Sequence, residues 1–258
     1  MAAVDLKRLI ARVEDLPTLP RTVLRITEMV NDPRASARDL SHIITDDQVL
    51  TARLLKLVNS SFYGFPQRVS TVTGAIVLIG FDAIRNLLLT TSVFDLFPSR
   101  TSRDRRHQES LWDHSLGCAI GAKSIGAMLR HEKLEELFVA GLLHDLGKIV
   151  EMTMLPEYFA RIAARVAEGR LLISVAESEI LGCTHADIGR LLAQRWNLPA
   201  KLTRLIEHHH DPAAAGAWTV DASIVHLADI LARSLSLGSG GDGLVPPGEG
   251  AGLRYPPP

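Results

Sequence analysis

The chain has 258 residues, enough to bury one large core or two modest ones, and 47% of its side chains are hydrophobic. Its 28 basic and 29 acidic residues, a formal net charge of -1, argue against a general electrostatic grip on nucleic acid, which needs clustered positive charge. A small anion held in a local pocket stays compatible with that balance, and the two cysteines, Cys118 and Cys183, read as small buried hydrophobes in a reducing cytosol.

The first segment, MAAVDLKRLIARVEDLP, mixes charges into its apolar residues and lacks the hydrophobic core of a signal peptide. In RTVLRITEMVND, Val23, Leu24, Ile26, Thr27 and Val30 form a helical stripe that Asn31, Asp32 and Pro33 end. Ser36, with Asp39 three residues on, has the spacing of a helix-capping start for ARDLSHIITDD. The next segment, QVLTARLLKLVNSS, puts Leu50, Leu54, Leu57 and Val58 on one face. A break follows at residues 62–66, and TVTGAIVLIGFDAIRNLLLTTSVFDLF resumes as two helical pieces around Gly80. The β-branched TVTGAIVLIG is the nearest approach to a strand. VSTVTGAIVLIGF, the longest uncharged apolar-rich stretch, is too short to span a bilayer as a helix, so the expectation is a cytoplasmic protein without a membrane segment.

Residues 1–98 thus form an N-terminal helical part. The charged stretch SRTSRDRRHQES, residues 99–110, follows as a connector or helix start; its Arg100, Arg103, Arg105 and Arg106 surround Asp104 and suit a solvated face better than a phosphate patch. Helical spacing returns at Leu111 and continues to Leu235. Residues 236–258, SLGSGGDGLVPPGEGAGLRYPPP, are rich in Gly and Pro and read as a disordered tail or linker. The fold class is all-α, with no convincing internal repeat.

The second helical part interrupts its apolar runs with imidazoles and carboxylates. GLLHDLGKIV sets His144 and Asp145 side by side where the neighbours predict a buried helix, and a buried ionised carboxylate is costly unless paired, hydrogen-bonded or metal-bound. His114 stands ahead of SLGCAIGAKSIGAML, His185 in CTHADIGRLLAQRW, His209 and His210 at the end of AKLTRLIEHHHDP, and Asp229 inside SIVHLADILARSL. Each alone has an ordinary reading: a hydrogen-bonded core histidine, an i,i+3 pair of Asp145 with Lys148, or histidines favoured by a helix C-terminus. Together they make an imidazole–carboxylate set suited to Fe, Mn, Co, Ni or Zn. On one continuous helix residues 144 and 145 project about 100° apart, so both reach an ion lying between them, with further ligands from other helices.

The ordered series His114, His144-Asp145 and Asp229 resembles the H…HD…D signature of the HD superfamily of metal-dependent phosphohydrolases. His185 and His209-His210 resemble the second-metal histidines of its HD-GYP branch. LPTLPRTVLRITEMVNDPRASARDLSHIITDD, LLKLVNSSFYGF, STVTGAIVLIGFDAIRNLLL, RWNLP and EHHHDP are similar to the HDOD family of bacterial signalling domains, over about residues 10–235. The resemblance implies an HD-domain-like helical bundle carrying an N-terminal helical HDOD subdomain, with metal held by His114, His144, Asp145, His185, His209, His210 and Asp229 as one or two divalent ions. It implies a regulatory module of signal transduction, acting on signalling proteins or a small phosphorylated ligand. The alternative is an active phosphohydrolase or phosphodiesterase, with His144, Asp145 and Lys148 as catalytic residues and Lys148 placed against a phosphate oxygen. HDOD modules often lack a complete catalytic set, whereas every H…HD…D position is filled here. After His210 comes DPAAAGAW in place of a DGxGYP segment, which argues against cyclic di-GMP hydrolysis.

Overall fold

The computed structural model describes residues 36–46, 48–59, 63–81, 83–84, 87–88, 96–97, 101–242 and 244. The helix expected over residues 21–32 lies outside them. All regular elements among the described residues are helices, and none is long and apolar enough to cross a membrane. The chain divides into two compact units, one of residues 17–98 and one formed by residues 1–16 with 99–258.

The smaller unit contains α1 (Ala37–Thr45), α2 (Gln48–Val58) and α3 (Val72–Ile79). The Ser36 side chain accepts from the Asp39 amide while Asp39 receives the Ser36 amide, a reciprocal capping box at the start of α1. Leu40, Ile44, Leu54, Val58, Ala75 and Ile76 supply its buried apolar side chains. Asn59 ties the end of α2 to the following loop, donating to the carbonyls of Leu55 and Val69 and accepting the Val69 amide. TVTGAIVLIG is helix rather than strand: Thr71 caps it, and Gly80 ends it with φ +90°. A cap and a terminating glycine outweigh the modest strand preference of its β-branched residues.

The larger unit contains α4 (Ser102–Met128), α5 (Leu134–Leu143), α6 (Leu146–Met154), α7 (Pro156–Gly169), α8 (Ile173–Leu181), α9 (His185–Arg195), α10 (Ala200–His208), a 3-10 segment (Pro212–Trp218) and α11 (Thr219–Ser234). From Thr101 on, the charged stretch is a helix start rather than a separate connector. Thr101 and Asp104 make a capping box, and the first turns of α4 carry Arg103, Arg105 and Arg106. The same helix continues through His114, which sits mid-helix rather than at a helix start.

α4 packs against α5 and α11, and α9 against α6 and α10. Ala122, Leu137, Ile224 and Ala228 form one core cluster, and Ala140, Leu205, Ala215, Ala222 and Val225 another. Two glycines set how closely these helices cross. A methyl group on Gly141 would lie 2.8 Å from the Ala119 Cα, so α5 meets α4 backbone to backbone. One on Gly147 would collide with the His185 carbonyl and come 2.9 Å from the Gly189 amide nitrogen, so α6 and the start of α9 touch directly. That second contact brings His185 beside Asp145.

The single helix expected through GLLHDLGKIV is two helices. α5 ends at Leu143 and α6 begins at Leu146, leaving His144 (φ -54°, ψ -39°) and Asp145 (φ -93°, ψ 17°) at the joint. Asp145 occupies the N-cap position of α6 but makes no side-chain cap bond, unlike Ser36, Thr101 and Thr184. Its carboxylate is committed elsewhere.

Candidate metal centre

All seven residues expected as ligands converge in the larger unit, from five places: α4 (His114), the α5–α6 joint (His144, Asp145), α9 (His185), the end of α10 (His209, His210) and α11 (Asp229). They fall into two groups of donors. His114, Cys118, His144 and Asp229 form the first, and Asp145, His185, His209 and His210 the second; within each group the ligating atoms lie within 4.8 Å of one another.

Asp145 stands between the groups. Its Oδ2 is 3.5 Å from His114 Nε2 and 3.3 Å from His144 Nε2, while its Oδ1 is 3.2 Å from His185 Nε2 and 3.7 Å from His209 Nε2. Asp229 Oδ1 closes the first group, 3.1 Å from His114 Nε2 and 3.9 Å from His144 Nε2. In the second, His185 Nε2 is 3.3 Å from His209 Nε2 and 3.0 Å from His210 Nε2. His208 stays outside both, with its Nε2 3.3 Å from Glu207.

Backbone and carboxylate partners aim these rings. His144 Nδ1 lies 2.7 Å from the Gly141 carbonyl, and His209 Nδ1 2.7 Å from the Ile206 carbonyl. His185 Nδ1 lies 2.7 Å from Glu177 Oε2, and Glu177 also accepts the His185 amide at 2.9 Å. A ring whose Nδ1–H donates outward turns the lone pair of Nε2 inward, which is how ligating histidines are prepared. Lys148 Nζ donates to Asp145 Oδ2 at 2.7 Å, and Arg233 Nε to Asp229 Oδ1 at 2.8 Å. Lys148 and Asp145 are not a surface pair: both are essentially fully buried.

The electrostatics follow from burial working against these contacts. Burial disfavours the charged form of His114, but its bonds to Asp145 and Asp229 prevail and raise it to about 11. His144 rises to about 10, against burial, through Asp145 and Cys118. His185 is also raised, burial being outweighed by Glu177. His209 and His210 are pushed well below 6.5 by burial and by neighbouring imidazoles. Asp145 and Asp229 are held well below the usual carboxylate range despite burial, Asp145 by His144 and Lys148, Asp229 by His114 and Arg233. Burial raises the Cys118 thiol, and His144 and His114 more than reverse that.

The residues fit a pair of cations. Asp145 Oδ1 and Asp229 Oδ2 are buried without a hydrogen bond, although Oδ1 has imidazole nitrogens nearby. His185 and His209 present Nε2 atoms to each other at 3.3 Å while each uses Nδ1 elsewhere. Lone pairs facing at that separation repel unless a proton or a cation lies among them. Imidazole, carboxylate and one thiol together suit a borderline transition metal.

Four members of this centre are absent from the sequence expectation. Cys118 follows His114 by one helical turn, a spacing that places both on one face, and it is a donor as well as a buried small residue. Arg233 follows Asp229 by four residues, the spacing of a pair on one helix face, whereas Glu177 reaches His185 across eight residues and Asp242 reaches Arg233 across nine with no local pattern to mark either.

The helical interior thus gathers two His/Asp donor groups, each of a make-up able to hold a metal ion, around one shared carboxylate. Residues 16–212 match the HDOD domain, and the chain belongs to that family. An uncharacterised protein of Treponema pallidum (strain Nichols) is 30% identical over 226 residues, 87% of this chain, which spans only 43% of that relative's length. Among solved structures, an HDOD domain protein of unknown function from Geobacter sulfurreducens is 29% identical with a TM-score of 0.77, covering 92% of this chain and 81% of that one. A candidate phosphohydrolase from Shewanella amazonensis SB2B is 28% identical with a TM-score of 0.75, covering 88% of this chain and 80% of that one.

Proposed function

We propose that this HDOD protein is a regulatory module of bacterial signal transduction that binds two divalent cations and, through them, a small phosphorylated ligand or a signalling partner. The observation that carries this reading is Asp145, whose Oδ2 faces the group of His114, Cys118, His144 and Asp229 while its Oδ1 faces His185 and His209 of its own group. His114, Cys118, His144 and Asp229 would hold one ion and His185, His209 and His210 the other, with Asp145 shared. Two ions so held would supply Lewis acidity toward phosphoryl oxygens and would acidify bound water near neutral pH.

The chain's own residues prepare that site. Lys148 fixes the Asp145 carboxylate, Glu177 keeps the His185 Nδ1 proton outward, and Arg233 steadies Asp229. Full burial of His114, His144, His185, His209 and Asp229 excludes bulk water and strengthens each contact. The regulatory reading is favoured by this closure and by the 3-10 segment Pro212–Trp218, which stands where a DGxGYP segment would follow His210.

A second reading, hydrolysis of a phosphoester, is favoured by the completeness of the donor set. With Lys148 engaged by Asp145, its part in such a reaction is to position that carboxylate. Manganese-loaded protein incubated with a generic phosphodiester and phosphomonoester separates the two. The regulatory reading expects metal retention without turnover; turnover abolished by Asp145→Ala would overturn it in favour of the enzyme.

A further inference from the structure

Residues 236–242, assigned to the tail from sequence, are packed against the centre. The Ser239 amide donates to the Ser110 carbonyl at 3.1 Å, and the Gly238 Cα lies so close to Ser110 and His114 that a methyl group there would collide with the Ser110 carbonyl and the His114 amide nitrogen. A methyl group on Gly240 would stand 2.9 Å from Arg233 Nη2 and 3.2 Å from Lys148 Nζ, so the backbone at Gly240 covers both cationic side chains. The segment then delivers Asp242 into the interior.

The Asp242 carboxylate is fully buried and sits in a cradle of donors. Arg233 Nη1 donates to its Oδ1 at 2.8 Å, and the Ile173 amide at the start of α8 donates to its Oδ2 at 2.8 Å. An arginine N–H and a helix N-terminal amide are both groups that proteins use for phosphate and carboxylate, here with Arg233 Nε on Asp229 and Nη1 on Asp242. Beside them opens a cavity of about 190 Å3, bordered by Ile173, Ser174, His210, His226, Arg233 and Asp242. That exceeds a cavity of about 150 Å3 known to admit a benzene ring. It runs from His210 of one donor group to Arg233, which holds Asp229 of the other.

The geometry points to Arg233 and the Ile173 amide as an anion site for the phosphate group of a ligand, with residues 236–242 as a strap whose Asp242 carboxylate occupies that site until phosphate displaces it. The ligand class rests on the phosphorylated-ligand reading proposed above; the strap and its carboxylate rest on this geometry alone. Beyond Asp242, this stretch is tied to the bundle by the Ser239 amide to the Ser110 carbonyl, the Leu237 amide to the Ala232 carbonyl at 2.9 Å, and Arg233 Nη1 to the Leu244 carbonyl at 3.4 Å. The bonds from the Gly241 amide to Ser239 Oγ and from the Leu244 amide to Asp242 Oδ1 are internal to it. Glycines gain more conformational freedom on release than other residues, so detaching this segment regains entropy that offsets the lost bonds. Exchanging carboxylate for phosphate keeps Arg233 paired throughout, avoiding an uncompensated buried charge.

Calorimetric titration of inorganic phosphate into the full chain, stripped of metal, tests this with wild type, Asp242→Ala and Asp242→Ala/Arg233→Met. The expected result is phosphate binding at least about 10-fold tighter in Asp242→Ala, with the gain lost in the double variant. Hydrogen exchange on the wild type provides a readout independent of any variant's folding: saturating phosphate accelerates exchange across residues 236–242. Unchanged phosphate affinity in Asp242→Ala, or a strap equally protected with and without phosphate in the wild type, would overturn the proposal. Metal content measured on separate manganese-loaded samples judges the metal reading by itself, so a chain that holds metal but shows no phosphate gain sinks only the strap.

Discussion

Glu177 Oε2 lies 2.7 Å from His185 Nδ1, and the same carboxylate accepts the His185 backbone amide. One acidic side chain on α8 thus fixes both the ring and the helix start of a proposed ligand on α9. Glu177→Gln keeps the shape but weakens the proton hold on Nδ1. Manganese affinity, measured by competition with a chelating dye, should fall about 10–100-fold while the helical circular dichroism stays unchanged. Equal affinity in wild type and variant would show that Glu177 plays no part in preparing His185.

Cation binding should release protons. His114, raised to about 11, and His144, raised to about 10, both carry a proton at pH 7 that an ion must displace. Affinity therefore strengthens as pH rises from 7 toward 10. Titration of manganese in two buffers of different ionisation heat should give different apparent enthalpies; identical enthalpies would contradict the assignment of these two rings as ligands.

Glu151 gives a pH effect of opposite origin. Its fully buried carboxyl sits beside Glu177, and burial followed by the Glu177 charge raises it well above 4.5. The folded chain then binds a proton that the unfolded chain releases above pH 4.5, so this group makes stability fall as pH rises from there through its folded pKa. Glu151→Gln removes that loss. In urea melts the variant should gain on the wild type as pH increases from 5 to 8, and parallel curves would show Glu151 to be ordinary.

The contact of α6 with α9 is expected to be intolerant of one added carbon. Gly147→Ala would press a methyl group against the His185 carbonyl, a backbone atom with nowhere to swing. Overpacking of this kind costs about 1–3 kcal/mol, read as a lower urea midpoint at unchanged slope. A midpoint equal to the wild type would mean the two helices separate freely.

Much of this architecture is legible in the chain. Ser36 with Asp39 marks a helix start because a capping box is local chemistry, and His114, His144, Asp145, His185, His209, His210 and Asp229 stand out because each interrupts an apolar run. The break between His144 and Asp145 is not legible, since neither residue is a helix breaker and the joint is imposed by packing on both sides. Glu177 looks like any exposed helix acid in ISVAESEIL, and only the fold brings it to His185 across eight residues. Asp242 hides in a glycine-rich stretch whose composition predicts looseness, because composition carries no information about Arg233 and Ile173 waiting at the other end of its bonds.

The shared carboxylate is the centre of the account, and metal stoichiometry tests it most directly. Protein produced with manganese or iron supplied, desalted and analysed by elemental mass spectrometry, should hold two ions per chain. Asp145→Ala should lose both, while Asp229→Ala should lose one, since Asp229 belongs to a single group. A wild-type chain without transition metal, or an Asp145→Ala chain that still holds two ions, would contradict it.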